Sequence, residues 1–371
     1  MGGGPKHLFQ LIRGLQGCRP NWRFAVASPL DEPYGPRLQG VAQRHFTLPS
    51  GRFSLRALWH LARWLHTHPP DVVHSHGRGA GIYAHLLRSL QPSIPLVHTF
   101  HGVHRPPGRR GALKLALDKL LAPLTDRFIC VSGQERDEVL RLGLGRAEQV
   151  ALVCNGIDID GVWHRCRQTS RTNMRQHWHI DADAFVLGTL ARLDYQKGID
   201  LLISALQRFQ ARYAEQKWIC LIAGEGKERR SLEHILRQNG LSERVYLMGE
   251  IAEPTDLLAA LDLYISFARW EGMPLSVLEA MACGLPCLLS DVVGHRDLII
   301  SGENGFLFAL EDVDEFASRL AQLALSSDLC AQLGRAAHVY VRAHHGLDRW
   351  LTQTLQIYET LCSGHGEGHE P

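Results

Sequence analysis

The sequence predicts two doubly wound α/β domains, and three observations carry that expectation. Short β-branched runs alternate with helix-period segments along almost the whole chain. The 371 residues exceed what one hydrophobic core commonly organises and suit two domains. A stretch poor in apolar periodicity and rich in Arg, His, Asp and Thr, Asn155–Ala184, separates two such alternating series. Strand–helix alternation produces parallel sheets covered on both faces.

In the first series, Arg23–Ala27, Asp71–Ser75, Pro95–Thr99 and Arg127–Val131 read as buried strands. Ser54–His66, Arg78–Leu90, Gly111–Leu121 and Gln134–Leu142 read as the amphipathic helices between them. In the second, strands are expected at Phe185–Leu190, Trp218–Ala223, Arg244–Met248, Leu263–Ser266 and Pro286–Leu289. Its helices are expected at Ile199–Tyr213, Glu228–Gln238, Thr255–Ala260, Leu275–Cys283 and Val313–Leu325. A last helix spans Asp348–Leu361, and the polar, Gly-rich tail Ser363–Pro371 reads as disordered. Two such domains facing one cleft suit a diphosphate-bearing ligand, because helix N-termini at the strand C-terminal ends attract anions.

Composition narrows the function classes. With 45% hydrophobic residues and 21% charged ones, the chain has core material and no charge excess typical of disorder. A formal charge of +2 argues against wholesale nucleic-acid binding. No apolar run reaches the roughly 18 to 20 residues of a spanning helix. The nine cysteines are scattered without a CxxC pair and read as reduced thiols of a cytosolic protein. Histidines cluster at His74/His76 and His98/His101/His104, but no carboxylate or Cys joins them at ligand spacing, so no metal is expected. The opening Met-Gly-Gly-Gly-Pro has none of the parts of a secretory signal.

Three segments carry chemistry. In Glu271-Gly-Met-Pro-Leu-Ser-Val-Leu-Glu279, Pro274 suits the first turn of a helix and Gly284 its end. Glu271 then precedes the helix, Glu279 lies in its second turn, and the Met273 and Leu275 amides point out of its start. In Gly188–Gly198, Arg192 and Lys197 leave a strand at its C-terminal edge, where two cations can neutralise a diphosphate. Ala223-Gly-Glu-Gly-Lys-Glu-Arg229 looks like a dinucleotide fingerprint but has Arg229 where the last glycine belongs, so it reads as a sharp strand-to-helix turn. By spacing alone, paired surface glutamates and a solvated basic loop remain equally open readings of the first two.

Together, in this order, these segments resemble the C-terminal domain of retaining, nucleotide-sugar-dependent glycosyltransferases of the GT-B fold, the family-4 kind. Asn155-Gly-Ile-Asp158, Asp291-Val-Val-Gly294-His-Arg-Asp297 and Glu303-Asn304-Gly305-Phe-Leu-Phe308 are similar to further elements of that family. So are His98-Thr-Phe-His101-Gly102-Val-His104 and Val131-Ser132-Gly-Gln-Glu135 in the N-terminal half. The resemblance implies an acceptor-side domain over 1–165 and a nucleotide-sugar domain over 180–345. It further implies a helix 346–362 packing back on the first domain, followed by the tail 363–371. Arg192 and Lys197 would bind the donor diphosphate. Glu271 and Gly272, with the amides of Met273 and Leu275, would hold the donor sugar and distal phosphate. Glu279 would take the ribose hydroxyls, the base would sit near Gly249, and His101 would face the transferring sugar. Gly2, Gly3 and Gly4 would form a loop closely approaching the phosphates or acceptor, followed by a helix Pro5–Leu15. In the family a buried strand precedes that loop, so the N-terminal sheet is expected to lack a central member.

The implied reaction transfers a sugar from a nucleotide diphosphate, a UDP-sugar by the resemblance, to a glycan or glycolipid of the cell surface, without cofactor or metal. Two other readings stay open: a sugar-nucleotide epimerase of the same fold, and a non-catalytic nucleotide-sugar-binding subunit. The expected location is cytoplasmic, peripheral on the inner membrane face. Helix Ser54–His66, with Arg56, Arg63, Trp59 and Trp64, can lie on a membrane surface or simply bury its leucines. Arg105, Arg109, Arg110 and Lys114 form a second basic patch near His101.

Overall fold

The computed structural model describes residues 3–103 and 108–366. The chain divides into two compact units, one formed by residues up to Gly156 together with the segment from Leu347 onward, the other by Ile157–Gly346.

The first unit runs α1 (Gly3–Cys18), β1 (Ala25–Ser28), α2 (Tyr34–Val41), β2 (Arg44–Thr47), α3 (Leu55–Thr67), β3 (Val73–His76), α4 (Gly77–Leu90), β4 (Leu96–Thr99), α5 (Gly108–Leu121), β5 (Arg127–Cys130), α6 (Gly133–Arg141) and β6 (Val150–Leu152). The second unit contributes α7 (Ile159–Gln168), α8 (Arg171–His177), β7 (Phe185–Leu190), α9 (Ile199–Arg212), β8 (Trp218–Ala223), α10 (Arg229–Gln238), β9 (Val245–Gly249), α11 (Pro254–Ala260), β10 (Leu263–Ser266), α12 (Leu275–Ala282), β11 (Cys287–Ser290), α13 (Val293–Arg296), β12 (Phe306–Phe308), α14 (Val313–Ala324) and α15 (Ser327–His344). Then α16 (Leu347–Gly366) returns to the first unit.

All strand pairing within the named sheets is parallel. The first unit has a pair, β1–β2, and a separate quartet in the order β3–β4–β5–β6. One core joins Leu11 and Leu15 of α1, Val97 and Ile129 of the quartet, and Trp350, Leu351, Leu355 and Tyr358 of α16. Gly14 permits that approach: a Cβ there would meet Leu351 Cδ1 at 2.5 Å. The second unit has six strands in the order β12–β11–β10–β7–β8–β9, with Phe267, Phe308 and Phe316 in mutual ring contact in its core.

Local chemistry explains several element starts. Ser54, Ser132, Asp158, Ser170, Asp312 and Ser326 each cap a helix, their side-chain oxygens accepting a backbone N–H three residues on. The α12 terminus closes as a Schellman turn, with Gly284 at φ 75° donating to Met281 and Leu285 donating to Ala280.

Several expectations require correction. The unit junction lies at 156/157 rather than between 165 and 180, because Trp163 stacks near His338 and Asp160 pairs with Arg342. The stretch Asn155–Ala184 holds α7 and α8, whose caps outweigh its weak periodicity. Gly3 and Gly4 form the first turn of α1 rather than a loop, and no atom of the chain lies within 4 Å of a Cβ built on either. Gly2 lies outside the described residues, as do His104, Arg105 and residues 367–371 of the tail. Ser363–Gly366 continue α16 instead of starting a disordered tail. The short elements α2, β2, β6 and β12, and the long α15, had no expectation attached.

Candidate active site

In the six-stranded sheet the chain winds outward from β7 through β8 to β9, then returns to β10 on the other side of β7. The gap between β7 and β10 is therefore a topological switch point, where the loops after both strands splay apart and ligands of open α/β sheets bind. The sequence puts its charged candidates on these two loops. Arg192 and Lys197 follow β7, and Glu271 follows β10.

The loops are fastened to each other. Gln196 donates from Nε2 to the Trp270 carbonyl at 3.0 Å, and the Arg269 amide donates to the Gln196 carbonyl at 2.8 Å. Arg269 also pairs with Asp200 at 2.6 Å and stacks over Tyr195 with 3.9 Å to the ring centre. Asp200 and the guanidinium bond each other, which raises the Arg269 pKa further. At the centre, Lys197 Nζ donates to Glu271 Oε1, with side-chain exposures of only 17% and 9%. Arg192 is the more open cation, 43% exposed, pairing with Asp194 at 3.0 Å and donating to Gln196 at 3.1 Å.

Glycines set the backbone spacing. Gly198, at φ 62°, passes so close to β10 that a Cβ would sit 2.0 Å from the Phe267 carbonyl oxygen. Gly294 presses on the Glu271 loop, since a Cβ there would meet the Gly272 oxygen at 2.2 Å. The Gly224-Glu-Gly226 turn is a strut under the β7 loop: Leu193 N–H donates to the Glu225 carbonyl at 3.0 Å, and Glu228 N–H donates to the Leu193 carbonyl at 3.1 Å. Gly249 ends β9 at φ 73° and accepts from Gly224 N–H at 2.7 Å.

Helix α12 starts at Leu275 with no side-chain cap from Pro274, and its dipole puts partial positive charge at the end that follows the Glu271 loop. Met273, Leu275 and Glu279 are buried. Sequence reasoning left His295 without a role, although its segment was noted. It is fully buried, and its Nδ1 donates to the Ser290 carbonyl at 2.7 Å. Nε2 is thereby the bare nitrogen and has no partner among the described residues. Burial lowers its pKa, against the opposing pull of Glu271, with Lys197 lowering it further and Asp291 raising it. The Asp of Asn155-Gly-Ile-Asp158 is a helix cap, donated to by Gly161 N–H at 2.9 Å. Asn304 closes its own loop through the Ile300 amide at 2.8 Å and the Leu298 carbonyl at 3.0 Å.

In the first unit, His101 follows β4 and sits among other histidines, 4.7 Å from the His7 ring and 5.5 Å from that of His76, centre to centre. Burial pulls its pKa down to about 4. The segment it occupies is held by Glu135 of α6, which is 1% exposed. One carboxylate oxygen accepts Gly102 N–H at 2.6 Å and the other accepts Val131 N–H at 2.8 Å. His7 escaped sequence reasoning entirely, since nothing local marks a helical histidine as the neighbour of one 94 positions later.

A family model described as Glycosyl transferases group 1 matches residues 170–339, and one described as Glycosyltransferase Family 4 matches residues 1–160. These two models and the fold define a class, and the chain belongs to it: it is a glycosyltransferase of the GT-B, family-4 type, built from two Rossmann-like domains. Among its relatives is an Escherichia coli enzyme, UDP-Gal:alpha-D-GlcNAc-diphosphoundecaprenol alpha-1,3-galactosyltransferase. That enzyme is 25% identical over 274 residues, covering 72% of this chain and 70% of the relative. Another is the lipopolysaccharide core biosynthesis mannosyltransferase LpcC of Rhizobium leguminosarum bv. viciae, 28% identical over 47% of this chain and 51% of the relative. In fold the chain is similar to Anabaena Alr3699/HepE, solved in complex with UDP and glucose, with a TM-score of 0.81 at 20% identity over 97% of this chain and 96% of that one.

Proposed function

We propose that this glycosyltransferase takes a UDP-sugar as donor and transfers the sugar, with retention of configuration, to a glycan or lipid-linked acceptor of cell-surface polysaccharide or lipopolysaccharide synthesis. The observation that carries the donor assignment is the Lys197–Glu271 pair beside Arg192 at the switch point. A half-buried lysine held by one carboxylate is a cation kept in place for an anion. When the diphosphate binds, Lys197 and Arg192 face its oxygens and Glu271 is released to accept sugar hydroxyls. The Met273 amide and that of Leu275, at the start of α12, take the distal phosphate, Glu279 takes the ribose hydroxyls, and the base lies by Gly249.

Retention follows if the acceptor hydroxyl attacks on the face the diphosphate leaves. The leaving oxygen then collects negative charge and takes up the acceptor proton, while Arg192, Lys197 and the helix amides stabilise that charge without rearranging. His101 is the acceptor-side group in this reading, its imidazole kept neutral by burial. UDP as the base-bearing moiety rests on the relatives named above, one named for UDP-Gal and one solved with UDP.

Peripheral membrane contact rests on α3. Leu61 and Leu65 turn inward, while Leu55 and Trp59 remain 74% and 56% exposed beside Arg56 and Arg63. No helix among the described residues is long and apolar enough to cross a membrane.

The test is a thermal-shift screen over nucleotide sugars followed by transfer assays. A UDP-sugar should raise Tm in the native protein, and both the shift and turnover should vanish in Lys197→Ala and Glu271→Ala. Undiminished turnover in both variants would remove the site assignment.

A further inference from the structure

Cys166 of α7 and Cys283, the residue that closes α12, meet in the second unit although 117 positions separate them. Two contacts bring their helices together. Trp163 lies one turn before Cys166 on the same face of α7, and a Cβ on Gly284 would stand 3.4 Å from its Cζ3. One turn further along, the two thiols are hydrogen-bonded to each other. Both cysteines are half-buried, so part of each stays open to solvent, whereas Cys130, Cys220 and Cys287 are buried. The end of α12 is held by backbone as well. Cys283 N–H donates to the Glu279 carbonyl at 3.0 Å, and His338 Nδ1 donates to the Ala282 carbonyl at 2.8 Å.

We infer that Cys166 and Cys283 form a reversible dithiol–disulfide couple that reacts with low-molecular-weight disulfides of the glutathione type and ties α7 to α12, the helix that carries Glu279. Cys166 is the attacking group. The hydrogen bond from Cys283 lowers its pKa against the pull of burial, and the Arg167 cation lowers it further. That same bond raises Cys283, as do burial and the charge of Glu279, so Cys283 keeps its proton until Cys166 has reacted. Burial raises Cys130, Cys220 and Cys287, which keeps those thiols inert. The Cys166 thiolate attacks one sulfur of glutathione disulfide, the S–S bond breaks, and one glutathione leaves as a thiolate that takes up a proton. Cys283, no longer facing a negative sulfur, gives up its own proton. Its thiolate attacks the Cys166 sulfur and expels the second glutathione, which is protonated in turn. Two protein thiols are thus oxidised, and one disulfide is reduced to two thiols. A disulfide holds its sulfurs about 2.0 Å apart, closer than a hydrogen bond does, so closure draws the last turn of α12 toward α7.

An effect on donor binding rests on the role proposed for Glu279 above, whereas the disulfide does not, and two measurements keep them apart. In the first, the full chain is reduced, freed of reductant and exposed to glutathione disulfide. It is then alkylated under denaturing conditions and mapped by mass spectrometry. Wild type should yield a linked Cys166–Cys283 peptide that dithiothreitol reverses. Cys283→Ser, whose hydroxyl still donates to the Cys166 thiolate, should stop with glutathione on Cys166. Wild type carrying glutathione on Cys166 and no linked peptide overturns the inference, as does Cys166 left as a thiol in Cys283→Ser. The wild-type products decide even if the variant fails to fold. In the second, UDP is titrated calorimetrically into the reduced and oxidised forms. Affinity should be several-fold weaker in the oxidised form and recover with dithiothreitol. Equal affinities overturn the tie to the Glu279 helix. A reduced protein that binds no UDP counts against the donor reading and leaves the disulfide result standing.

Discussion

Glu135 is one residue whose replacement should cost far more than its size implies. Its carboxylate is 1% exposed and accepts two backbone N–H groups, Gly102 at 2.6 Å and Val131 at 2.8 Å, from two different strand-following loops. Glu135→Gln keeps the shape and one acceptor oxygen but turns an NH2 toward the other backbone donor. Losing one hydrogen bond to a charged group removes about 1.5–3 kcal/mol, and the buried donor left without a partner costs about 1–3 more. The sum, roughly 2.5–6 kcal/mol, is a large share of a typical folding free energy. Because the chain has two units, global melting mixes two transitions, and amide hydrogen exchange reads the effect locally. Protection at Gly102 and Val131 should fall at least about fiftyfold, since each 1.4 kcal/mol is a factor of about ten. Glu138→Gln is the control on the same helix. Its pair with Arg141, 2.6 Å long, leaves the arginine 68% exposed, and removing so exposed a pair should leave protection at Gly102 and Val131 close to that of the native protein. Protection in Glu135→Gln matching that control would refute the argument that this carboxylate holds the His101 segment.

Three further outcomes are expected. Gly294→Ala drives a Cβ to 2.2 Å from the Gly272 oxygen, so the Glu271 loop must move, and calorimetric donor affinity should drop at least about tenfold while β11 stays protected. His295, facing Glu271, Lys197 and Asp291, has a lowered pKa from burial, so below pH 6.5 the unfolded chain binds a proton that the folded one refuses. Its contribution is complete above that pH and is lost as pH falls, with a slope of up to about 1.4 kcal/mol per unit, and denaturant midpoints of His295→Asn should show a flatter acid limb. Replacing Leu55 and Trp59 of α3 with serine should reduce co-sedimentation with anionic vesicles several-fold and leave the melting temperature nearly unchanged, since both side chains are exposed.

The alternation of strands and helices was legible because a parallel sheet leaves continuous apolar runs. Three strands of the second unit, Phe185–Leu190, Trp218–Ala223 and Leu263–Ser266, fall where the runs predict. The charged candidates Lys197 and Glu271, 74 positions apart, were chosen separately and meet as a hydrogen-bonded pair. What escaped had a physical reason. The helices α7 and α8 depend on Asp158 and Ser170 caps more than on apolar rhythm. The glycine-rich start is a loop only by the family resemblance, whereas Pro5 suits a first helical turn and α1 absorbs Gly3 and Gly4. His7 and His295 lie in no motif of ligand spacing, and the rings around His7, those of His76, His101 and Trp350, come from distant elements.

The first unit is assembled from both ends of the chain, and this sets a schedule for synthesis. Trp350, Leu351, Leu355 and Tyr358 complete the core that Leu11 and Leu15 begin, so that core stays open until α16 has left the ribosome. The second unit is continuous, Ile157–Gly346, and can close while the earlier-made part still waits. Birth order and folding order are thus reversed. The apolar faces of α1 and of the β3–β6 quartet are the surfaces exposed for longest, and the ones a chaperone would have to shield.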